Sequence, residues 1–227
     1  TEIPSDKTSW GSFNALRDKT DKDALAILKE ASNNPSLKSN TNEGKAVNLF
    51  KTIMDTVARD KAGAAPLKQY LDKIDKVKNI QDLQNLLVET EPIINVGFFG
   101  LRISPDRKDS NKNIVNIGAG SLGLPDKDYY SSDDKDSKEK REKYQLHIAK
   151  MLQFIGESPE EAKASAAKIV ALETILSNPR LDRVERRDSR LQNNPMTIAD
   201  LQKMTPAIQW NSYFSGLGLK KLDTINV

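Results

Sequence analysis

The histidine and cysteine counts limit the chemistry that this chain can perform, because it has one histidine, His147, and no cysteine. A catalytic zinc ion commonly takes two histidines one helical turn apart and a carboxylate. His147 has no second histidine to complete such a pair, so the sequence predicts no metal site and no catalytic residue in this chain. We expect His147 to be a half-buried helical residue that is hydrogen-bonded to a neighbour. A serine triad is not supported either, since no Gly-x-Ser-x-Gly elbow occurs.

A glycine motif typical of dinucleotide-binding proteins, Gly-x-Gly-x-x-Gly, occurs at residues 118–123, directly after a predicted strand that ends at Ile117. In such proteins the glycines open a helix within a βαβ unit. Here Pro125 would lie inside that helix, where it would remove a donor and clash with the preceding turn. We therefore interpret the glycines as a turn, and a dinucleotide-binding protein is the weaker of two alternatives.

The polar stretch at residues 104–113 contains Asp and Asn side chains whose oxygens could suggest a calcium site. It lacks the central glycine and the closing bidentate glutamate of an EF-hand loop. Because Asp and Asn are ordinary turn residues, we interpret the stretch as the turn of a hairpin.

Glu173 lies beside an apolar helix face, because Ile169 and Leu176 flank it at helical spacing. A carboxylate buried at such a place must find a partner. The sequence Glu-Arg-Arg-Asp follows at residues 185–188, and we predict that Arg186 or Arg187 pairs with Glu173 to fix the following loop. An ion-pair network of this kind, with Asp188 included, is more often structural than catalytic.

Composition describes a globular protein of 227 residues, with 37% hydrophobic and 30% charged side chains. The net charge of +3 arises from 35 Lys+Arg closely mixed with 32 Asp+Glu, and phosphate tracking needs a clustered positive face instead. We therefore expect no nucleic-acid partner. No apolar run approaches the roughly 20 residues of a membrane span. The first residues lack a signal-peptide pattern, so we expect any signal peptide to have been removed or never present.

Apolar spacing predicts mostly helices. We expect a helix from Ser12 to about residue 33, and the spacing of Val47, Phe50, Met54 and Val57 predicts a single buried helix face. Further helices are expected after Pro66, around residues 82–87 and 144–155, after Ser158 with a capping box to Glu161, and from Thr197 and Pro206. The period changes around Pro92, and apolar residues then alternate. The predicted fold class is a mainly α, multi-helix domain with a small β-hairpin at about residues 97–118.

Several segments, taken in order, resemble the N-terminal region of the neprilysin and endothelin-converting-enzyme family of zinc metallopeptidases. The most specific is Leu-Gly-Leu-Pro-Asp-Lys-Asp-Tyr-Tyr at residues 122–130, which is similar to that family's Leu-Gly-Leu-Pro-x-x-Asp-Tyr-Tyr signature. It includes Pro125 and Tyr129, which the resemblance marks as structural. Supporting segments lie at residues 10–17, 172–173, 186–188 and 194–198.

The resemblance implies that residues 1–227 form the N-terminal part of a helical capping domain. Such a domain would gate and size-select small peptides for a C-terminal catalytic domain that is absent from this chain. Zinc would belong to that domain in the full-length enzyme, and this chain alone would be inactive. The resemblance also places Phe13 and Arg17 on the substrate-binding side. Their spacing of one helical turn puts them on one face, where a core anchor and a surface ion pair with Asp21 are the alternatives.

The resemblance implies a bacterial periplasmic, cell-envelope or secreted protein, although a cytoplasmic one is not excluded. We also expect apolar surface left uncovered in this chain to drive self-association. The stronger alternative function is a stand-alone helical binding protein of the bacterial envelope.

Overall fold

The computed structural model describes residues 3–94 and 98–227, and it divides into two compact units, Thr1–Gly63 and Ala64–Val227. The fold is mainly α with a small sheet, as predicted. No helix among the described residues is long and apolar enough to cross a bilayer.

The first unit contains three helices, α1 (Ser12–Ser32), α2 (Asn42–Met54) and α3 (Thr56–Ala62). The Thr41 hydroxyl caps α2 by accepting a hydrogen bond from the Gly44 amide at 3.1 Å. Gly44 is required at this position, because a Cβ there would lie 2.0 Å from the Lys38 carbonyl oxygen. Helix α1 packs against α2, yet it buries no residue completely.

The prediction that one buried helix face extends from Val47 to Val57 is wrong for Val57. Val47 is buried, but α2 ends at Met54 and Val57 lies on α3 with 77% of its surface exposed. The break follows from Asp55, whose carboxylate accepts a hydrogen bond from the Ala58 amide and starts a new helix.

The second unit holds the remaining elements. Its helices are η1 (Ala65–Leu67), α4 (Lys68–Ile74), α5 (Ile80–Thr90), α6 (Asp128–Ser131), α7 (Lys135–Phe154), α8 (Pro159–Ser177), η2 (Glu185–Arg187), α9 (Ile198–Met204) and α10 (Trp210–Gly216). The predicted capping box at Ser158 and Glu161 is present, and Thr197 caps α9. Helix α10 begins four residues after Pro206, later than predicted.

A four-stranded sheet in the order β1-β2-β4-β3 completes the second unit. Strands β1 (Phe99–Pro105) and β2 (Asn113–Ala119) form the predicted antiparallel hairpin, and the start of the predicted range, residue 97, lies outside the described residues. Strand β4 (Thr224–Asn226) runs parallel to β2 and antiparallel to β3 (Pro195–Thr197). The two short strands were not predicted.

Two apolar clusters hold the second unit together. The larger one joins α5, the sheet, α9 and α10, and its centre is a group of tilted and edge-on aromatic rings. These rings belong to Phe99, Trp210, Tyr213 and Phe214. The smaller cluster joins α7 to α8, where the fully buried Ala162 and Ala166 let the helices approach closely.

Candidate functional site

The carboxylate of Glu173 on α8 binds the signature segment at residues 122–130. Glu173 accepts hydrogen bonds from the Gly123 amide at 3.0 Å, the Tyr130 hydroxyl at 2.9 Å and the Tyr144 hydroxyl at 3.2 Å. The Tyr130 hydroxyl in turn accepts a hydrogen bond from the Leu124 amide at 2.8 Å. Glu173 therefore joins α6, α7 and α8 to the segment that precedes α6.

The predicted pairing of Glu173 with Arg186 or Arg187 is wrong. Within the described part of the chain, no ion pair joins Glu173 to either arginine, and Arg186 instead donates to Asp126 Oδ2 at 2.8 Å. Arg183 donates to the same oxygen at 3.1 Å. Tyrosine hydroxyls and a backbone amide satisfy Glu173, so it needs no guanidinium.

Asp126 is the most enclosed carboxylate of this region, with 5% of its side chain exposed. Burial alone would raise the pKa of Asp126, but the hydrogen bond from Arg183, its own backbone contact with Lys127 and the nearby charge of Arg186 hold that pKa below its usual value. The ionised carboxylate thus fastens the signature segment to η2.

The two tyrosines on Glu173 are kept neutral by their surroundings. Burial, and after it the hydrogen bond to Glu173, raise the pKa of Tyr144 to about 12. Burial also raises the pKa of Tyr130, again with a contribution from Glu173. Both hydroxyls therefore remain hydrogen-bond donors over the physiological range.

The other residues that the resemblance marks as structural lie around this segment. Tyr129 is half-buried, with the Lys140 ammonium 4.9 Å from its ring centroid. Pro125 is exposed between Leu124 and Asp126, and Arg187 is exposed on η2. Asp188 pairs with Arg190 at 2.6 Å. These positions agree with a structural role, which stays a prediction.

Phe13 and Arg17 lie on the first turns of α1, as predicted, and share one face of it. Phe13 has 87% of its surface exposed, so it is not a core anchor within this chain. Arg17 is exposed too, and no described residue forms an ion pair with it. Both side chains are accessible to a ligand or to another part of a larger protein.

His147 lies on α7 as predicted but is exposed instead of half-buried. Across residues 3–94 and 98–227, no group of three or more His, Cys, Asp or Glu side chains could hold a metal ion. The available donors therefore do not fit a catalytic zinc ion.

The glycine motif does not form a dinucleotide site. Gly118 lies within β2, and the next helix, α6, begins at Asp128 and is four residues long. Gly120 instead closes the strand end by donating its amide to the Phe98 carbonyl at 2.9 Å. The second alternative from the sequence is therefore not favoured.

Sequence reasoning missed Asp126, Tyr130 and Tyr144 as members of this cluster. Asp126 and Tyr130 belong to the signature segment, and their place in it is the feature of the sequence that could have identified them. Tyr144 carried no signal beyond its place on the apolar side of a helix.

The sequence of this chain is similar to those of known peptidases. The model of Peptidase family M13 matches residues 1–227. Endothelin-converting enzyme 1 of Cavia porcellus is 28% identical over 217 residues, which cover 92% of this chain and 28% of the relative. Neprilysin-3 of Drosophila melanogaster is 25% identical over 222 residues, covering 93% and 28%. The chain thus spans under a third of the length of these relatives.

The fold of this chain is also similar to parts of solved structures. The zinc metalloprotease ZMP1 of Mycobacterium tuberculosis, solved in complex with an inhibitor, superposes with a TM-score of 0.85 and 29% identity, covering 100% of this chain and 35% of that one. PEPO of Lactobacillus rhamnosis superposes with a TM-score of 0.77 at 17% identity over 100% of this chain and 35% of that one, which supports the fold alone.

Proposed function

This chain belongs to peptidase family M13, and from that membership we propose that it is the non-catalytic, helical N-terminal region of a zinc metalloendopeptidase that acts on small peptides. The observation that carries the proposal is the family match over residues 1–227, and the superposition on a zinc metalloprotease supports it. Membership does not favour a stand-alone binding protein of the bacterial envelope.

The chain's own role is substrate gating and size selection. The donors among the described residues do not fit zinc, and family membership supports a C-terminal catalytic domain that holds the metal of the full-length enzyme and is this region's partner. A region without the metal affects turnover by deciding which peptides reach it and how they are oriented. We place the enzyme in the bacterial periplasm, the cell envelope or the secreted fraction.

Phe13 and Arg17 are the residues through which this chain contacts the peptide. Both are exposed, and they lie one turn apart near the start of α1. The Phe13 ring offers an apolar surface to a peptide side chain, while the Arg17 guanidinium donates to a carboxylate or a backbone carbonyl oxygen. Asp126, Glu173 and the signature segment act structurally, because their polar atoms bind one another.

The test is Arg17→Ala in the full-length enzyme, with Arg59→Ala as the matched control. Arg59 is an exposed arginine of α3 in the same unit. Loss of a charged hydrogen bond to the peptide predicts a fall in kcat/KM of roughly tenfold or more for Arg17→Ala. Zinc content should stay unchanged in both variants. Unaltered kcat/KM for Arg17→Ala across several peptides would contradict the assignment.

A further inference from the structure

A cleft of about 1040 Å³ lies in the second unit, between one face of the sheet and the segments around α8. Side chains alternate along a strand, so Leu101 and Ile117 turn to the apolar core while their neighbours form the opposite face. That face is the floor of the cleft. Its residues are Gly100, Arg102, Asn116, Gly118 and Asn226.

The floor leaves the backbone of the sheet accessible. Gly100 and Gly118 are directly paired across β1 and β2. A Cβ built on Gly118 would meet no atom within 4 Å, so the space above it is open. A second extended backbone can approach a glycine floor more closely than it can approach a floor of larger side chains.

The cleft is strongly cationic. The described residues that line it include five basic side chains and one acidic side chain, that of Asp126. Arg183 and Arg186 already neutralise this carboxylate. A concave surface lined by one sign of charge focuses the field and attracts the opposite sign. The basic residues are Arg102, Arg107, Lys127, Arg180 and Arg186.

Most of these cations are committed to the walls, but Arg102 is not. Arg107 donates to the Ser189 carbonyl at 3.0 Å, and Lys127 donates to the Arg180 carbonyl at 2.8 Å. Arg180 donates to the Gly120 carbonyl. The Arg102 guanidinium is exposed on the floor, and it has no ion pair or side-chain hydrogen bond with any described residue. Arg102 is therefore the donor that remains for a ligand.

Part of the lining of the cleft is apolar and forms a leucine wall. It is formed by five leucines, so the cleft combines an unpaired guanidinium with an apolar surface. They are Leu122, Leu124, Leu176, Leu181 and Leu191.

We propose that this cleft binds an extended acidic peptide segment, with a carboxylate on Arg102 and an apolar side chain against the leucine wall. The cleft volume of about 1040 Å³ and the paired glycines favour an extended chain over a small free anion. The leucines favour a segment that alternates acidic and apolar residues. This proposal does not use Phe13 or Arg17 and does not depend on the proposed function.

The test uses the full-length protein, with a chelator present so that no metal-dependent cleavage consumes the probe, and a terminally blocked peptide that alternates Asp and Leu, titrated by calorimetry. Peptides that alternate Lys and Leu, or Asn and Leu, are the matched probes. We expect the acidic peptide to bind at least tenfold more tightly than either, and to weaken as salt is added.

Two variants locate the binding. Gly118→Val places a β-branched side chain in open space on a strand, so the protein should fold while the floor is blocked. Arg102→Gln removes the unpaired guanidinium and keeps a polar, uncharged side chain. Each should weaken the acidic peptide roughly tenfold or more, whereas Arg59→Gln, an exposed arginine of the first unit, should not. Circular dichroism checks folding, and Arg102→Gln alone decides if Gly118→Val does not fold.

Three results would overturn the proposal. One is no binding of the acidic peptide up to about 1 mM. Another is equal binding of the basic peptide. The third is a dimer that Gly118→Val dissociates in sedimentation while acidic peptides do not bind, since the cleft would then receive a second copy of the chain.

Discussion

Gly123 lies in the signature where the side chain of any larger residue would meet Tyr144. A Cβ on Gly123 would lie 1.6 Å from the Tyr144 hydroxyl, which is also a ligand of Glu173. Gly123→Ala must displace Tyr144 and weaken the Glu173 cluster, so we expect a loss of about 1–3 kcal/mol in the free energy of unfolding. Urea denaturation measures it.

The matched control for this substitution is Gly118→Ala. Its added methyl group enters open space on a strand, so stability should be unchanged or slightly increased. Equal effects of the two substitutions would show that the close approach at Gly123 is not what restricts that position.

The tyrosines on Glu173 predict a loss of stability in alkali. The pKa of Tyr144 is about 12 in the folded protein, because of burial and then of its bond to Glu173, against about 10 when unfolded. Between these values the unfolded chain has fewer protons bound, so stability is complete below about pH 10 and falls as the pH rises toward 12. Urea denaturation at pH values between about 8 and 11.5, in steps of about one unit, measures this fall in the free energy of unfolding.

Tyr144→Phe is the control for the alkaline transition. It lacks the titrating hydroxyl, so its stability should fall less steeply with pH than that of the unmodified chain. A parallel fall in both proteins would assign the transition to other groups.

The sequence indicated that Glu173 needs a partner but could not identify it. Apolar neighbours at helical spacing show that a carboxylate is half-buried, and that argument is local. Its partners Tyr144, Tyr130 and Gly123 lie 29, 43 and 50 residues away along the chain. Arginines that were near in sequence were a reasonable expectation, yet they contact Asp126.

At the scale of elements, Asp126 tethers the signature segment to η2. Asp126→Asn removes the charge that Arg183 and Arg186 share, so the segment and η2 should loosen. We expect a stability loss of about 1.5–3 kcal/mol and faster tryptic cleavage after Arg183 and Arg186. Mass spectrometry of timed digests locates the cuts.

Asp188→Asn is the control for this tether. Asp188 pairs with Arg190, whose side chain is 89% exposed, and such surface pairs contribute roughly 0–1 kcal/mol. Its digestion should follow that of the unmodified chain. If both variants are cut at the same rate, Asp126 does not tether η2.

Element prediction succeeded where the signal was local and failed where it was not. The hairpin, the capping box at Ser158 and the helix start at Thr197 depend on neighbouring residues, and all three are present. Strands β3 and β4 have three residues each and exist because they pair with strands distant in sequence. Three residues are too few for a periodic pattern.

At the scale of the whole molecule, the predicted resemblance is confirmed by the family match over residues 1–227. That resemblance depended on the order of several weak segments, whereas composition alone indicated no more than a globular chain. The resemblance could not predict which side chains are exposed, because exposure depends on which helix and strand faces pack against other elements.

The first unit carries an apolar stripe on α1 that should drive self-association. Phe13, Leu16 and Ile27 have 87%, 60% and 66% of their surfaces exposed, and their spacing places them on one helix face. Contiguous exposed apolar surface favours association, whereas scattered single residues do not. We expect sedimentation velocity to show a concentration-dependent increase in mass, and Leu16→Lys with Ile27→Lys to suppress it.

The matched control adds the same charge without removing apolar surface. Asn14 and Asn48 are exposed polar residues of α1 and α2, so Asn14→Lys with Asn48→Lys should leave association nearly intact. Because the substituted leucine and isoleucine are largely exposed, folding should survive in both double variants. If both suppress association equally, repulsion between charges is the cause and the stripe is not the contact. If the unmodified chain stays monomeric at all concentrations, its exposed apolar side chains are too dispersed to act as one surface.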